Sequence, residues 1–557
     1  METEGRSCLL AFDGYLGVKW ERIVPKIRKE LSDRGVESIV IDFNIYYHSP
    51  SEIEKIIVPH VKLETDFGFV FKGRLTDLLD STKIGELRKE LREHRKRKKE
   101  PSAAIICYGY GAAIPSLRRL YDKVLYFDLT REKLFNESKE KPTSLGNGGT
   151  ISFNQFLKRF YYVDSQVLDK QKRYAIKYMN WYVESNIPQE LKIIPRRTYN
   201  RILSKIAQYP FAIKPLYYPV TWGGNWLKKI KKLPESMVNS GQGFIVAREN
   251  SIRIATNGVV MEIPFLNLLW AEPQKILGEY VFRKFKGEFP LTYYYDDGVE
   301  GGHMAIQVHA NGTFMKKHFN EPIRQDESYY ILFAGSGAKT YLGLRDSADI
   351  DEFRRVSTKA EKEGVPFDHD KYVNSILTEP GDYFLIPNGT VHSSGRNQVV
   401  LEIDGGISAY GPSYTLHIYD YLRPDLEGQL RSIHIENSFS VLKDRKATWV
   451  SKNLKQEPRL IRSAKDGTEY LLGRRKGMYY EVRRLEFSSR MEDGTNGRFH
   501  ALTLVKGESI LVQSKREPQR KYNLDFPDTL IVPACIGKYI LLNLSSKPCS
   551  VVKALVK

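Results

Sequence analysis

Two stretches decide how this chain folds: MAIQVHANGTFMKKHFNEPIRQDESYY at residues 304–330 and GDYFLIPNGTVH at residues 381–392. Each predicts a β-hairpin element of a barrel, because apolar and polar residues alternate and Gly, Asn or Pro mark the turns. Gln307 and His309 are two residues apart, so on a strand their side chains point to the same face. Glu327 lies in a second predicted strand, and His392 follows a Pro-Gly turn at the start of a third.

These four side chains are typical metal ligands. Two imidazoles, one carboxylate and one amide oxygen suit a borderline ion such as zinc, and they leave positions open to water or substrate. Polar packing is the alternative for an isolated Gln-x-His pair. We therefore predict a catalytic zinc site, rather than a closed structural one, on Gln307, His309, Glu327 and His392.

Several motifs resemble one enzyme family. Residues 381–392 resemble the second cupin motif, and Gln-Val-His followed by Glu-x-x-Tyr resembles the ligand segment of type I phosphomannose isomerases. IKPLYYPVTWGGNWLKK at residues 213–229, YDYLR at 419–423 and IHIENSF at 433–439 resemble the same family. The resemblance covers about residues 213–557. It implies cupin jelly-roll barrels, zinc on the four ligands named above, and an aldose-ketose isomerase acting on mannose 6-phosphate and fructose 6-phosphate or a related sugar phosphate.

The resemblance also implies catalytic residues. Glu402 matches a Glu that lines the family pocket and is the predicted base or the group that orients it. His417 stands where better-known bacterial members have a catalytic Arg, and an imidazole there can transfer protons or contact phosphate. Arg423, in the YDYLR string, is the third predicted catalytic residue.

A second departure from the family is Gln325, which stands where relatives commonly have Lys, although the adjacent Arg324 can replace part of that charge. Together with His417, this replacement adds weight to the alternative function, a non-catalytic metal-bound cupin that binds or senses a sugar.

Residues 7–44 read as strand, turn, helix and strand, which predicts an open α/β sheet. The segment from Gly17 to Trp20 fails the test for a phosphate-binding loop, because Lys19 is displaced and Trp20 stands where Ser or Thr belongs. Residues 1–190 resemble a nucleoside-kinase (P-loop-kinase-like) domain that has lost this loop. We predict a scaffold, regulatory or oligomerisation role. A bifunctional kinase-isomerase would instead bind ATP at the turn from Gly14 to Lys19.

The predicted organisation has four parts. An α/β domain (1–190) precedes a helical linker (191–212) and a catalytic cupin domain (213–440) with a helical insertion at DEFRRVSTKAEKEG (351–364). Residues 441–557 form a cupin-like barrel without metal, because His500 has no accompanying ligands in the sequence. Jelly-roll closure accounts for the many short strands of both barrels.

Composition narrows the class of protein. The formal charge of +19 is spread along 557 residues, and its densest run, RKELREHRKRKKE at 88–100, has the spacing of a solvated helix. We therefore predict a sugar-phosphate substrate and no nucleic-acid partner. No apolar run of eighteen residues occurs, the N-terminus lacks signal-peptide features, and the four cysteines are widely separated. These observations predict a cytoplasmic protein with reduced thiols and no membrane partner, and they leave the oligomeric state open.

Overall fold

The computed structural model describes residues 7–61, 66–96, 103–146, 149, 151–256, 258–321, 324–405, 414–425 and 428–557. The chain forms two compact units. The first comprises Met1–Leu203 and Ser251–Trp270, and the second comprises Ser204–Asn250 and Ala271–Lys557. Ser251–Trp270 therefore groups with the N-terminal unit, whereas the sequence-based boundaries placed it in the catalytic cupin domain.

A six-stranded sheet forms the centre of the first unit. Its strands are β1 Cys8–Gly14, β2 Ser38–Asp42, β3 Ala104–Gly109, β4 Lys123–Asp128, β5 Trp181–Glu184 and β6 Lys192–Pro195. Their order is β2-β3-β1-β4-β5-β6, and every pair is parallel except β5 with β6. The predicted open α/β sheet is present. The predicted helical linker is wrong at its beginning, because Lys192–Pro195 pairs with β5 as an edge strand.

Helices connect these strands. They are α1 Trp20–Ser32, α2 Pro50–Ile57, α3 Ser81–Lys96, α4 Arg131–Glu140, α5 Phe153–Arg159, α6 Ser165–Tyr178 and α7 Arg196–Ile206. In α3, Ile84, Leu87 and Leu91 form one buried stripe, and the charged residues lie on the remaining faces. This confirms the predicted solvated helix as far as Lys96. Residues 97–100 of the predicted helix lie outside the described residues.

After α7 the chain enters the second unit and then returns to the first. The second unit begins with β7 Leu216–Tyr218, α8 Trp226–Ile230 and β8 Gln242–Val246. The returning segment consists of β9 Ser251–Thr256, β10 Val259–Pro264 and α9 Phe265–Ala271. Asn267 of α9 donates a hydrogen bond to the buried carboxylate of Asp128 at 2.8 Å, which ties the segment to the end of β4.

Two facing antiparallel sheets form the barrel that we call the first barrel. Its further strands are β11 Leu291–Asp297, β12 Ile306–His309, β13 Asp326–Ala334, β14 Lys339–Leu344, β15 Val373–Leu377, β16 Tyr383–Ile386, β17 His392–Ser394, β18 Gln398–Gly405, β19 Thr415–Tyr419 and β20 Lys455–Gln456. One sheet has the order β20-β16-β13-β18-β11-β8-β7, and the other has the order β15-β14-β17-β12-β19.

The helices of the second unit are α10 Pro273–Leu277, α11 Glu279–Phe285, α12 Gly312–Phe319, α13 Ile350–Glu363, α14 Ile435–Val441 and α15 Ala447–Asn453. Helix α13 confirms the helical insertion predicted at residues 351–364. Among the helices of the described ranges, none combines the length and the apolar character that crossing a bilayer requires.

Residues 304–330 contain the two predicted strands, but these strands do not form the predicted hairpin. Helix α12 separates β12 from β13, and the two strands belong to different sheets. The Asn-Gly pair that indicated a turn begins a helix, because the side chain of Asn311 accepts a hydrogen bond from the backbone of Phe314 and caps α12. Likewise, β16 and β17 of residues 381–392 lie in different sheets. As a result, Gln307, His309 and His392 lie on one sheet and Glu327 lies on the other.

The remaining strands form a second pair of sheets, the second barrel. They are β21 Arg459–Ala464, β22 Gly467–Arg474, β23 Tyr480–Phe487, β24 Arg490–Gly494, β25 His500–Lys506, β26 Ser509–Ser514, β27 Lys521–Asp525, β28 Thr529–Val532, β29 Lys538–Asn543 and β30 Cys549–Val556. Their orders are β21-β22-β23-β30-β25-β28 and β24-β29-β26-β27. The two pairs of sheets fit a multidomain cupin-like fold. Tyr480 joins the barrels, because its hydroxyl donates a 2.8 Å hydrogen bond to the Ile403 carbonyl in β18.

Candidate metal and catalytic site

The four predicted metal ligands meet in the first barrel. Gln307 of β12 and His392 of β17 are direct cross-strand partners in one sheet, and Glu327 lies on β13 of the other. Nε2 of His392 lies 2.9 Å from Glu327 Oε2, Nε2 of His309 contacts Glu327 Oε1, and the Gln307 amide nitrogen lies 3.3 Å from His392 Nε2. Ligand atoms of His309, Glu327 and His392 lie within 4.8 Å of one another.

Hydrogen bonds on the far side of each imidazole set its orientation. Nδ1 of His392 lies 2.9 Å from the Thr390 carbonyl, and Nδ1 of His309 lies 3.3 Å from the Tyr414 carbonyl. A carbonyl only accepts, so each Nδ1 donates its proton to it, and in the neutral ring Nε2 then presents a lone pair. Metal-bound imidazoles are commonly held in this way.

The buried atoms at this point fit a cation. His309 Nε2 and Glu327 Oε2 are fully buried, and neither atom takes part in a hydrogen bond despite the short separations. Buried polar atoms without a hydrogen bond lower the stability of the folded protein unless a ligand or a metal ion binds them. Two imidazole nitrogens, one carboxylate and one amide are a donor set that suits zinc. The residues present therefore fit the predicted metal.

Further carboxyl groups surround Glu327. Asp404 of β18 is its direct cross-strand partner, and Glu402, two residues earlier, points to the same face. Asp296 approaches Glu402 from β11. Gln325 donates to Glu327 Oε1 at 2.9 Å and to Asp404 Oδ2 at 3.1 Å. The neutral amide thus lies between two buried acids.

Burial and mutual repulsion shift the pKa values of these acids. Burial raises the pKa of Glu402 well above its ordinary value, and Asp404 and Asp296 raise it further. Burial, followed by the nearby Glu327, likewise raises the pKa of Asp404, and burial raises that of Asp296 to about 7. Burial acts on Glu327 in the same direction, but His309 and His392 outweigh it and lower its pKa.

The structure places the other predicted catalytic residues nearby on β19 and just beyond it. His417 is the cross-strand partner of Gln307, so it lies beside the metal ligands on their sheet. Nε2 of His417 lies 3.5 Å from Nη2 of Arg431. Arg423 is held by the carboxylate of Asp420 and donates to the His303 carbonyl at 2.7 Å. Its guanidinium therefore organises a loop.

Sequence reasoning missed three residues of this region: Asp296, Asp404 and Arg431. Strand alternation could have indicated Asp404, which is two residues beyond Glu402. Arg431 follows β19 in sequence, and only the fold brings it to His417. The guanidinium of Arg324, which the sequence indicated as a partial replacement for the family's Lys charge, binds Asp326 at 2.8 Å and the Gly477 carbonyl.

A buried carboxylate lies beside the turn from Gly14 to Lys19, where a kinase-isomerase would have to bind ATP. Asp13, at the end of β1, accepts hydrogen bonds from the backbone N–H groups of Gly14, Gly111 and Ala113 at 2.7–3.3 Å. Such convergent N–H groups are the ones that bind phosphate in phosphate-binding loops. Trp20 occupies the adjacent space, since a Cβ on Gly14 would lie 2.8 Å from its ring.

His500 in the second barrel is part of a hydrogen-bonded network. Its Nδ1 lies 2.8 Å from the Tyr539 hydroxyl, which donates to Asp493 at 2.8 Å. Lys553 pairs with Asp493 at 2.6 Å and with Glu469 at 2.8 Å. Burial, followed by the nearby Lys553, lowers the pKa of His500 to about 3. The lowered pKa keeps the imidazole neutral, and the side chain is a buried, hydrogen-bonded part of the barrel core.

Two parts of the chain are similar to known families or proteins. A family model described as a domain of unknown function (DUF8485) matches residues 1–208. The chain is 27% identical to mannose-6-phosphate isomerase of Streptococcus mutans over 234 residues, which are 42% of this chain and 67% of that protein. It is 26% identical to mannose-6-phosphate isomerase ManA of Bacillus subtilis, over 42% of this chain and 68% of that protein.

The crystal structure of mannose 6-phosphate isomerase from Bacillus subtilis aligns with 62% of this chain and 99% of its own, with 19% identity and a TM-score of 0.49. The curated relatives are mannose-6-phosphate isomerases, which are aldose-ketose isomerases. Their similarity extends over about two fifths of this chain, and the N-terminal 208 residues match a separate family model.

Proposed function

We propose that this chain is a zinc-dependent aldose-ketose isomerase that interconverts mannose 6-phosphate and fructose 6-phosphate or a related sugar phosphate. The observation that carries this proposal is the convergence of two oriented imidazoles on a buried Glu327 beside Glu402, a carboxyl group of raised pKa. The activity of the curated relatives supports it. We also propose a cytoplasmic location, as the sequence predicts.

Zinc would be held by Gln307, His309, Glu327 and His392, and it supplies Lewis-acid polarisation of the sugar carbonyl when bound. Glu402 would remove the proton from C2 of the aldose and return it to C1, while the hydroxyl proton passes from O2 to O1. A carboxyl group of raised pKa holds a proton more strongly than an ordinary Glu does, which makes its carboxylate the better acceptor for the C2 proton. Its burial also excludes water from the transfer.

We assign the phosphate contact to His417 together with Arg431. Nη1 of Arg431 lies 3.0 Å from Asp420, and its other terminal nitrogen faces His417. This places a guanidinium next to the position where better-known family members carry Arg. Arg423 would act as a positioning residue through Asp420.

We propose that the first unit is a non-catalytic scaffold or regulatory domain. The carboxylate of Asp13 accepts the N–H of Gly14, the first residue of the turn that would bind a nucleotide phosphate, and the Trp20 ring packs against Gly14. A bifunctional kinase-isomerase therefore has no support from this turn. The boundaries at residues 190, 212 and 440 stay predictions.

The test is a coupled isomerase assay with mannose 6-phosphate on zinc-loaded full-length protein. We expect turnover in the parent and a loss of at least about 10³-fold in Glu327→Ala and in His392→Ala, with zinc content falling in parallel. Glu402→Gln should retain zinc and lose turnover, because it removes the proton acceptor alone. Glu508→Ala, at an exposed carboxylate of the second barrel, is the matched control and should behave like the parent.

A parent that binds zinc but turns over neither mannose 6-phosphate nor other hexose and pentose phosphates would contradict the proposal. The protein would then be a metal-bound cupin that binds a sugar without converting it.

A further inference from the structure

Four cationic side chains of the second unit lie close together, outside the candidate metal site. Arg324 precedes β13, Lys443 and Arg445 lie between α14 and α15, and Arg475 lies in the turn between β22 and β23. Lys443 is near enough to the other three for their charges to act on it. The guanidinium carbons of Arg445 and Arg475 lie 5.5 Å and 5.3 Å from the ring centre of Trp449. Three distant segments of the chain therefore bring positive charge to one place.

A buried carboxylate lies among these cations, and its oxygens already have partners. Asp326 is 2% exposed. Its Oδ2 accepts a hydrogen bond from Nε of Arg324 at 2.8 Å, and its Oδ1 accepts from the backbone and the side-chain amide of Asn388 at 3.0 Å and 2.7 Å. In the ranges that the structure describes, the other three cations form no ion pair with a carboxylate. The cluster therefore carries more positive charge than its acid offsets.

The pKa values of the cluster reflect this excess of positive charge. Burial, followed by Arg475, lowers the pKa of the Arg445 guanidinium to about 10, although Asp326 acts in the opposite direction. Burial, followed by Arg445, lowers the pKa of Lys443. Positive charge is therefore unfavourable here unless an anion joins the cluster. Solutes can reach the cations, because Lys443 is exposed and Arg445 and Arg475 are half-buried.

We propose that Lys443, Arg445 and Arg475 bind a phosphate group. Guanidinium groups present paired N–H donors that match phosphate oxygens, and an ammonium group adds a compact charge. Inorganic phosphate and the phosphate of a sugar phosphate offer the same chemistry to these three side chains. The side chain of Asp326 points to the opposite face of β13 from Glu327, because side chains alternate along a strand. The site is therefore separate from the proposed isomerase centre and does not depend on it.

Hydrogen bonds connect this phosphate site to the turn that precedes His392. Nη1 of Arg445 donates to the Pro387 carbonyl at 2.8 Å and to the Thr390 hydroxyl. The Thr390 carbonyl in turn accepts from Nδ1 of His392 at 2.9 Å. The other two nitrogens of Arg445 form no hydrogen bond with a described residue, so they can donate to a phosphate while Nη1 keeps its bonds to the turn. A bound phosphate would hold Arg445 in place and make the turn more rigid.

The test is isothermal titration calorimetry of full-length, zinc-loaded protein with inorganic phosphate. We expect binding to be at least about tenfold weaker in Arg475→Gln and in Lys443→Gln than in the parent, because each variant loses a charge-assisted contact. Neither side chain forms a hydrogen bond with a described residue, so both variants should unfold at the temperature of the parent. Arg459→Gln, which removes an exposed Arg from β21, is the matched control and should bind phosphate like the parent.

Hydrogen exchange measures the connection to the turn. Phosphate should slow amide exchange at residues 387–392 in the parent and leave it unchanged in Arg475→Gln. Exchange that stays the same in the parent when phosphate binds would refute the connection to His392.

Equal phosphate affinity in the parent, Arg475→Gln and Lys443→Gln overturns the site, as does a parent that binds no phosphate at about 10 mM. Arg431→Gln removes the phosphate contact proposed for the substrate, so phosphate binding that is lost in this variant alone also overturns the site. Titration of Arg431→Gln with mannose 6-phosphate and with inorganic phosphate shows which form binds more tightly, and either order supports the site. Phosphate binding here without turnover of any sugar phosphate refutes the proposed isomerase alone.

Discussion

The two barrels bury polar side chains in opposite ways. In the second barrel, Lys553 lies between Asp493 and Glu469, and Arg483 also pairs with Glu469 at 3.0 Å. In the first barrel, Glu402, Asp404 and Asp296 lie together, and the neutral Gln325 donates to Asp404. The buried charges of the second barrel are therefore paired within it, whereas the first barrel brings like carboxyl groups together.

This difference shows how one architecture separates structural from functional roles. A fully paired network fixes a core, because removal of any member leaves a buried charge without a partner. A cluster of like charges costs stability in the free protein, and such sites are typical of binding and catalysis. The second barrel also stabilises the first, through the hydrogen bond from Tyr480 to Ile403.

The largest effect should come from changing the charge beside the carboxyl groups of each barrel, by removing a Lys from the second barrel and adding one to the first. Lys553→Met leaves Asp493 and Glu469 without their shared ammonium group, so we expect a loss of about 3–5 kcal/mol in the free energy of unfolding. Gln325→Lys adds a cation to the first barrel and should stabilise metal-free protein by about 1–2 kcal/mol. Urea denaturation of both variants after EDTA treatment measures the pair. Effects of the same sign would mean that the two networks do not differ as described.

A smaller effect should follow from neutralising one carboxylate in each barrel. Burial acts to raise the pKa of Asp493, but Lys553 and His500 outweigh it and hold that pKa at about 2. Its stabilising contribution is therefore complete above its unfolded pKa and is lost as the pH falls towards 2. Asp493→Asn should lower the free energy of unfolding by about 2 kcal/mol at pH 7.

Asp404→Asn should act in the opposite direction in metal-free protein. The pKa of Asp404 is raised, so its ionisation above pH 4 opposes folding, and an amide removes that cost. We expect stabilisation on the order of 1 kcal/mol at pH 8 and little change at pH 4. Thermal denaturation of EDTA-treated protein at the two pH values measures it, and destabilisation at pH 8 would contradict the like-charge description of the first barrel.

The smallest effect concerns His500. Its folded pKa of about 3 lies below the ordinary 6.5, so the unfolded chain takes up a proton between these values and the folded chain does not. Stability from this group is complete above pH 6.5 and falls as the pH falls. Through this group the parent should lose about 1 kcal/mol of unfolding free energy between pH 6.5 and 5.5. His500→Gln, which keeps a partner for Tyr539, should not show this loss. Identical pH slopes in parent and variant would show that His500 does not titrate as expected.

Much of the fold could be predicted from local patterns. Alternation and turn residues indicated β13, the spacing of apolar residues indicated α13, and the order of strand and helix indicated the open sheet of the first unit. The connection between β12 and β13 could not be predicted, because Asn311-Gly312 is compatible with a hairpin turn and with a helix start. Whether the chain turns back or crosses to the opposite sheet depends on what the following residues pack against.

By itself, the sequence determined the chemistry of the candidate site. Gln307, His309, Glu327 and His392 were selected as ligand types at strand spacing, and Glu402 and His417 through their resemblance to family positions. Only the tertiary structure decided that Asp296 and Asp404 join Glu402, that Arg431 reaches His417, and that Arg324 turns away to Asp326. Strand pairing is non-local, so the charge around a residue depends on partners that its own segment of sequence does not contain.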